Sequence, residues 1–481
     1  MIQSANPFSA RIIDVEMAKF NGADKMSIMP QVVEVVIYQS VFSPVMRATL
    51  AVHDLVNLIG NYPISGEESI TITLDQDSED KPYSSTKRSL KFIISGIEKL
   101  TADDAGRSMT YLIQLDSFEA YVNAKTKISH AYKDSVEEII KSILQDYLKT
   151  DKKFKLYSDT KKSRDLVVPN MRPFAAIKWL CKFAVSAEPE KYYNHVFYES
   201  MNATSQDMQL AREPGGGAGS LSGGFIFKAL QKPVYRGAVD DSAYSAAQDK
   251  PYYYLSNIEA VRNSPELYKN LQADGFAENR AILNLKYNKR FAGLEKIIGG
   301  YMENEYVEIN LLQKDHKITR TTVKEAFNPL GIGLLNTSPY IDDVINHDDK
   351  EETSGRVRYE INNYDDLNQP SLRDKFGRSI RSTIAFNQLD FYIGVHTDFN
   401  FSPGDLIYLK IADIQGFNGV EQDKYISGYF IITEIKNIIR PSGETSTVLR
   451  VNKDSYNNGL FQQNLLNPQS PAVPSFGGGV R

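Results

Sequence analysis

The sequence predicts a mainly β chain in which two similar small antiparallel β-barrels are separated by an α+β insertion. Three observations carry that expectation. Strand-like runs with period-2 alternation occupy both ends of the chain. The stretch FIISGIEKL (residues 92–100) returns as FIITEIKNI (430–438). Helical periodicity is concentrated between them. At 481 residues the chain is also too long for one ordinary core, so three or four domains are expected.

Residues 1–125 are expected to form the first barrel, from VVEVVIYQ, VMRATLAVHD, SITITLD, SLKFIISGIEKL and MTYLIQLDS. Five or six such strands would remove their exposed edges by closing. Residues 126–235 read as the α/β insertion. DSVEEIIKSILQDYL (134–148) places Val136, Ile139, Ile140, Ile143, Leu144 and Tyr147 at helical spacing, with Asp134 and Glu137 set as a capping box. RPFAAIKWLCKFAV (172–185) is a second helix with Pro173 in its first turn. HVFYES and FIFKAL read as strands joined by REPGGGAGSLSGG. Residues 236–275 are a linker. The second barrel is expected to be discontinuous, using 276–310 (with AILNLKYNK) and 376–456 around a mixed polar insertion at 311–375. Residues 457–481, rich in Pro, Gly, Asn and Gln, read as an extended tail.

The repeat extends beyond one strand. GEESITITLD begins at Gly66 and GDLIYLKIAD at Gly404, and the Gly-to-Phe offset is the same in both (92 − 66 = 430 − 404 = 26). Upstream stand Val52-His53-Asp54 and Val395-His396-Thr397-Asp398. Downstream stand GRSMTYLIQLDS and GETSTVLRVNKDS. Four matched elements in one order are read as a duplication.

No catalytic, cofactor-binding or metal residue is assigned. His53, His130, His195, His316, His347 and His396 are scattered without metalloprotease spacing. The single cysteine, Cys181, lies on the apolar side of its helix and reads as a buried thiol. The run Gly215-Gly216-Gly217-Ala218-Gly219 lacks the Gly-Lys-Ser/Thr ending of a phosphate loop and is read as a hairpin loop. Asp75, Asp77 and Glu79, like Asp342, Asp343, His347, Asp348 and Asp349, read as solvated loops. A net charge of −5 argues against binding nucleic acid through its phosphates. No signal-peptide layout and no membrane-length apolar run is present, so a soluble protein assembled in a reducing cytoplasm is expected.

The stretches ISGEESITI, FIISGIEKL and SFEAY, with PGDLIYLKI and YISGYFIITEI in the second copy, resemble the tail hub proteins of contractile-tailed bacteriophages. The hub portion of type VI secretion spikes shares that plan. The resemblance covers about 1–235 and 275–455 and lies in layout more than in invariant residues. It implies two tube-type barrels in a non-enzymatic, structural homotrimer of pseudo-six-fold symmetry, located in the virion tail baseplate and assembled in the host cytoplasm. The implied partners are a hexameric tail tube protein, a trimeric spike protein, baseplate wedge or other hub-associated proteins, and a tape measure protein. DNA would pass through its channel without specific binding, and a mildly acidic chain would suit that passage. Without an appended lysozyme-like or β-helical region, residues 461–481 are expected to reach a separate spike. Two alternatives stay open: a tail-associated cell-wall hydrolase using the acidic clusters, and a receptor- or glycan-binding tail protein using PYYYLSN (251–257).

Overall fold

The computed structural model describes residues 10–19, 24–76, 87–102, 108–157, 159–161, 166–187, 194–202, 223–230, 248, 250–255, 263–273, 276–290, 294, 303–310, 314–322, 357–361, 389–412, 423 and 426–453. The chain opens with β1 (Arg11–Ala18), β2 (Met26–Ser27), β3 (Val32–Ser40), β4 (Arg47–Asp54), a helical turn α1 (Leu58–Asn61), β5 (Ser69–Asp75), β6 (Arg88–Ala102) and β7 (Met109–Ser117). The insertion follows with α2 (Phe118–Lys125), β8 (Ile128–Tyr132), α3 (Val136–Ser142), β9 (Lys153–Leu156), β10 (Leu166–Met171), α4 (Pro173–Cys181), β11 (His195–Ser200) and β12 (Gly224–Ala229). The remainder holds β13 (Tyr252–Tyr254), α5 (Pro265–Ala273), β14 (Ile282–Arg290), β15 (Glu303–Asn310), β16 (Asp315–Thr322), β17 (Val357–Ile361), β18 (Leu389–Val395), β19 (Leu406–Ile411), β20 (Gly428–Ile439) and β21 (Thr445–Lys453).

The chain is mainly β, as expected, and among the described residues the strands form no closed barrel where the sequence predicts two. One 13-stranded sheet runs β14-β18-β21-β20-β3-β4-β7-β6-β5-β1-β2, with β13 and β19 attached beside β20. The two units share one strand, β20. Its first residues pair with β19, ending at Leu406↔Ile431, and Glu434–Ile439 run past that partner to pair with β3. β20 thus serves its own unit along both neighbours and the first unit at its far end. Each half curls around its own core. Val15, Leu50, Ile72, Phe92 and Ile113 fill the first; Phe391, Phe430, Ile432, Leu449 and Val451 fill the second. Ile439, at the end of β20, is buried in the first core, so the two units share hydrophobic packing as well as a ladder.

The repeated sequence occupies equivalent places. Phe92 pairs with Ile70, and Phe430 with Ile407. Each FII strand then carries a bulge at the same point, between Ile94 and Gly96 and between Ile432 and Glu434, so Ser95 and Thr433 are the equivalent inserted residues. Beyond the bulges, Ile97 pairs with Ile113 and Ile435 with Leu449. Leu50 then pairs with Ile113, and Ile393 with Leu449. Val52-His53 and Val395-His396 therefore hold equivalent positions. A further bulge recurs between Val32 and Glu34 and between Ile282 and Asn284. The turn before each first strand is built alike: Gly66 (φ 88°) and Gly404 (φ 83°) take the left-handed region that glycine tolerates. Ile94 and Ile432 donate their N–H groups to the carbonyls of Glu68 and Asp405.

The insertion has its own core, with Ile139, Ile140, Leu144, Ile177, Leu180 and Phe225 buried. β12 pairs antiparallel with β11 and parallel with β9, and β8 pairs with β10. The expected long helix is shorter: α3 ends at Ser142 and continues as a π turn over Ile143–Tyr147. The expected Asp134–Glu137 capping box is not made. Ser135 occupies the cap position without a side-chain bond, and the Val136 N–H donates to Thr160 Oγ1 (3.2 Å). That hydroxyl in turn donates to the buried Glu137 carboxylate. β15 pairs with β16 and β17 in a separate three-stranded sheet.

Candidate functional site

The sheet that joins the two units turns one polar face outward. Along β4, β7, β20 and β21 the alternation sends Leu50, Ile113, Ile435 and Leu449 inward, and Arg47, Thr49, Gln114, Asp116, Glu434, Lys436 and Arg450 to the other side. These side chains line a concavity of about 830 Å³ that spans the junction, with Glu98 at one end and Tyr392 at the other.

Its charges are mixed and paired. Arg47 contacts Asp116 (3.1 Å), and Gln114 is held between Thr49 (2.9 Å) and Glu98 (3.3 Å). Arg450 forms a two-pronged bond to buried Asp390 (3.0 and 2.7 Å) and reaches Glu434 (2.8 Å). The bond to Asp390 holds the Arg450 guanidinium above its ordinary pKa. Among the lining residues Arg47, Lys436 and Arg450 balance Glu98, Asp116 and Glu434. The face is near-neutral, although the chain carries a net charge of −5.

Two strand edges flank this face. β6 pairs with β7 from Phe92 to Ala102, but with β5 only as far as Ile93. On that side Ser95–Ala102 meets no described strand, and Leu100 is 59% exposed. β14 pairs with β18, and no described strand lies along the other side of Leu283–Arg290. Among the described residues these are unshielded β edges, a feature that most folds cover.

The insertion clamps the junction with buried charges. Lys152 Nζ bridges Glu119 (2.7 Å) and Glu199 (2.5 Å). Glu199 also accepts from Ser117 Oγ (2.6 Å) and the Met46 N–H (2.7 Å) of the first unit. Burial pulls the Lys152 pKa down, and the two carboxylates outweigh it, leaving it above its ordinary value. Toward the second unit, fully buried Lys228 donates to the Gly404 carbonyl (2.5 Å), and Tyr198 Oη donates to the Pro403 carbonyl (2.6 Å). Burial lowers the Lys228 pKa to about 8 against the pull of Asp405. Nothing in the sequence pattern marked Lys152, Glu199 or Lys228, because their partners lie far away along the chain.

The residues weighed for chemistry are not brought together. His53 is exposed with Nδ1 3.2 Å from Thr110 Oγ1, His130 stands edge-on to Tyr132, His195 is buried against Phe227, and His316 is exposed on β16. His396 is half-buried just past β18. Cys181 is buried in α4. Asp75 is buried and accepts from Arg11 (2.7 Å). Tyr252 and Tyr253 are buried, and β13 pairs with β19. Asp77, Glu79, Gly215–Gly219, Asp342, Asp343, His347, Asp348, Asp349 and residues 457–481 lie outside the described residues. Among the described residues, no group of three or more His, Cys, Asp or Glu could hold a metal ion. No described helix is long and apolar enough to cross a membrane.

No family model matches the chain, and no curated protein does. Among solved structures, a tail protein from Neisseria meningitidis aligns over 92% of this chain and 96% of its own, at 10% identity and TM-score 0.47. The 43 kDa tail protein of prophage MuSo2 from Shewanella oneidensis aligns over 92% and 99%, at 9% identity and TM-score 0.47. The chain is similar to phage tail proteins. An Escherichia coli component of the type VI secretion system, described as structurally similar to T4 tail proteins, aligns over 90% and 77%, at 9% identity and TM-score 0.38.

Proposed function

We propose that this protein is the structural hub of a contractile tail, a homotrimer whose six repeated units form a ring between a hexameric tail tube and a trimeric spike. The observation that carries the reading is the β20–β3 ladder. It joins the second unit to the first head to tail, through non-identical surfaces, and leaves the matching edges, β6 and β14, uncovered. A heterologous contact of this kind generates a ring when its rotation closes. Three chains carrying two units each then present six similar faces to a tube and three identical ones to a spike.

In that ring the polar concave face lines the channel. Internally paired charges leave few free cations to hold phosphate, which suits passage of DNA without specific binding. Of the acidic clusters that a hydrolase would use, the described member, Asp75, is buried in an ion pair with Arg11, which supports a structural role for it. The buried Tyr252 and Tyr253 take the centre of PYYYLSN away from a glycan-binding surface. Wedge, hub-associated and tape measure proteins are the further partners of this reading, and the virion baseplate is its location.

The test is antibody labelling of intact tails. An antibody raised against the chain is expected to bind at one tip of the tube. Label along the whole tube, or none on any tail, would overturn the reading.

A further inference from the structure

β6 and β14 each carry a bulge that their counterparts in the other copy lack, and among the described residues these are the two uncovered edges. β6 carries a second bulge, between Glu98 and Thr101, where Lys99 takes a left-handed conformation (φ 55°). Its counterpart β20 runs through the same place without one, Lys436, Asn437 and Ile438 pairing in step with Val448, Thr447 and Ser446. β14 carries a second bulge between Tyr287 and Lys289, whereas its counterpart β3 passes directly from Ile37 to Tyr38. Each uncovered edge therefore has one residue more than the covered edge it corresponds to.

The β20–β3 ladder shows where these extra residues would meet. In it Lys436 pairs with Tyr38, Ile438 with Val36 and Ile439 with Val35. Carried through the equivalences of the repeat, those pairs become Glu98↔Lys289, Thr101↔Lys286 and Ala102↔Leu285. Two residues on each strand remain between the first two of these pairs, Lys99-Leu100 and Tyr287-Asn288. Every pair then has the same sum of residue numbers (98 + 289 = 101 + 286 = 102 + 285 = 387), so the ladder runs without interruption. A single unmatched bulge would have put the rest out of step by one residue and turned every following side chain to the wrong face.

We propose that β6 of one chain pairs antiparallel with β14 of a second copy, with Leu100 opposite Tyr287 and Lys99 opposite Asn288, and that the two extra residues are matched so that this seam forms in register. The occupant is a second copy because, among the described residues, the template for the geometry is the ladder already made within the chain. Leu100 (59% exposed) and Tyr287 (38% exposed) would gain an apolar cross-strand contact in the assembly. The inference rests on the ring reading and specifies its inter-chain contact.

Two variants of the full chain test it. In Leu100→Cys/Tyr287→Cys the two thiols of one chain lie on strands separated by six others, roughly 34 Å along the sheet at about 4.8 Å per strand, against the ~7 Å that a disulfide spans. Any link between them must join two chains, and buried Cys181 does not compete. Oxidation with copper phenanthroline is expected to give a covalent trimer on a non-reducing gel, and Leu100→Cys alone is expected to give no link. A native trimer without the 100–287 link would overturn the seam and leave the ring reading standing. Monomers at every concentration would overturn both.

The second test removes the extra residues. Deleting Lys99 converts β6 to the spacing of β20, and deleting Asn288 converts β14 to that of β3, so each deletion has a folded precedent within the molecule. Either deletion alone is expected to weaken trimer formation at least about tenfold, and both together to restore it to within about threefold. Single deletions that leave trimer formation unchanged would overturn the register.

Discussion

Lys436 of β20 stands opposite Tyr38 of β3, its ammonium 5.7 Å from the centre of the tyrosine ring, where the two repeated units share a ladder. The pair lies on the concave face with Tyr38 exposed, so its contribution is small. The junction is held by the backbone ladder and by Val35, Ile37, Ile435 and Ile439 beneath it, each almost fully buried. Tyr38→Ala should cost under about 1 kcal/mol, and Ile37→Ala about 2–5 kcal/mol. Urea unfolding of both variants checks the contrast; equal losses would place the energy in the surface pair.

Lys152 is the cation that two buried carboxylates share. Lys152→Met leaves Glu119 and Glu199 without it, and loss of one partner of a buried pair costs about 3–5 kcal/mol. Adding Glu119→Gln and Glu199→Gln should recover most of the loss. If the single variant proves as stable as the parent in urea, the clamp between insertion and first unit is not where the stability lies.

The acid limb of stability should run through Glu68. Burial pushes its carboxyl up, but Lys19 and the N–H groups of Ser65 and Gly66 outweigh that and bring it to about 2. The folded pKa lies below the unfolded value of 4.5, so the contribution is fully present above that pH and is lost as pH falls toward 2. The shift corresponds to about 3 kcal/mol. Glu68→Gln should be less stable at pH 7 by roughly that amount and show a flatter decline between pH 4.5 and 2. Parallel acid curves for the two proteins would rule this out.

The two equivalent glycines should respond unequally to alanine. Both sit at positive φ, which costs a non-glycine residue about 1–2 kcal/mol. At Gly66 an added Cβ meets only the Ile94 carbonyl at 3.9 Å. At Gly404 it would come within 2.8 Å of Lys228 and 2.9 Å of Tyr198 Oη. Gly66→Ala should therefore cost only the backbone strain, and Gly404→Ala clearly more, read from thermal midpoints.

Much of the architecture was legible because it is local. FIISGIEKL and FIITEIKNI share an alternation and a bulge point, and each follows a turn glycine at the same offset, 26 residues before its Phe. The discontinuous partner of the second unit was visible in the same way, since AILNLKYNK alternates as a strand and pairs with β18 as β3 pairs with β4. What could not be read was where a strand stops serving one unit and begins serving another. Nothing in Thr433–Ile439 says that its outer edge meets Val35–Ser40. The concave face was likewise invisible as a site, because Arg47, Asp116 and Arg450 look like ordinary outward positions until the sheet curves them together. Glu137 misled the cap assignment because its carboxylate finds Thr160, 23 residues away.

The central claim is that the within-chain junction repeats between chains until three of them close. Native mass spectrometry of the full-length protein tests it most directly. A closed trimer of about three times the 54.2 kDa chain is the expected species. A stable monomer across the micromolar range, or a two-fold dimer, would contradict it.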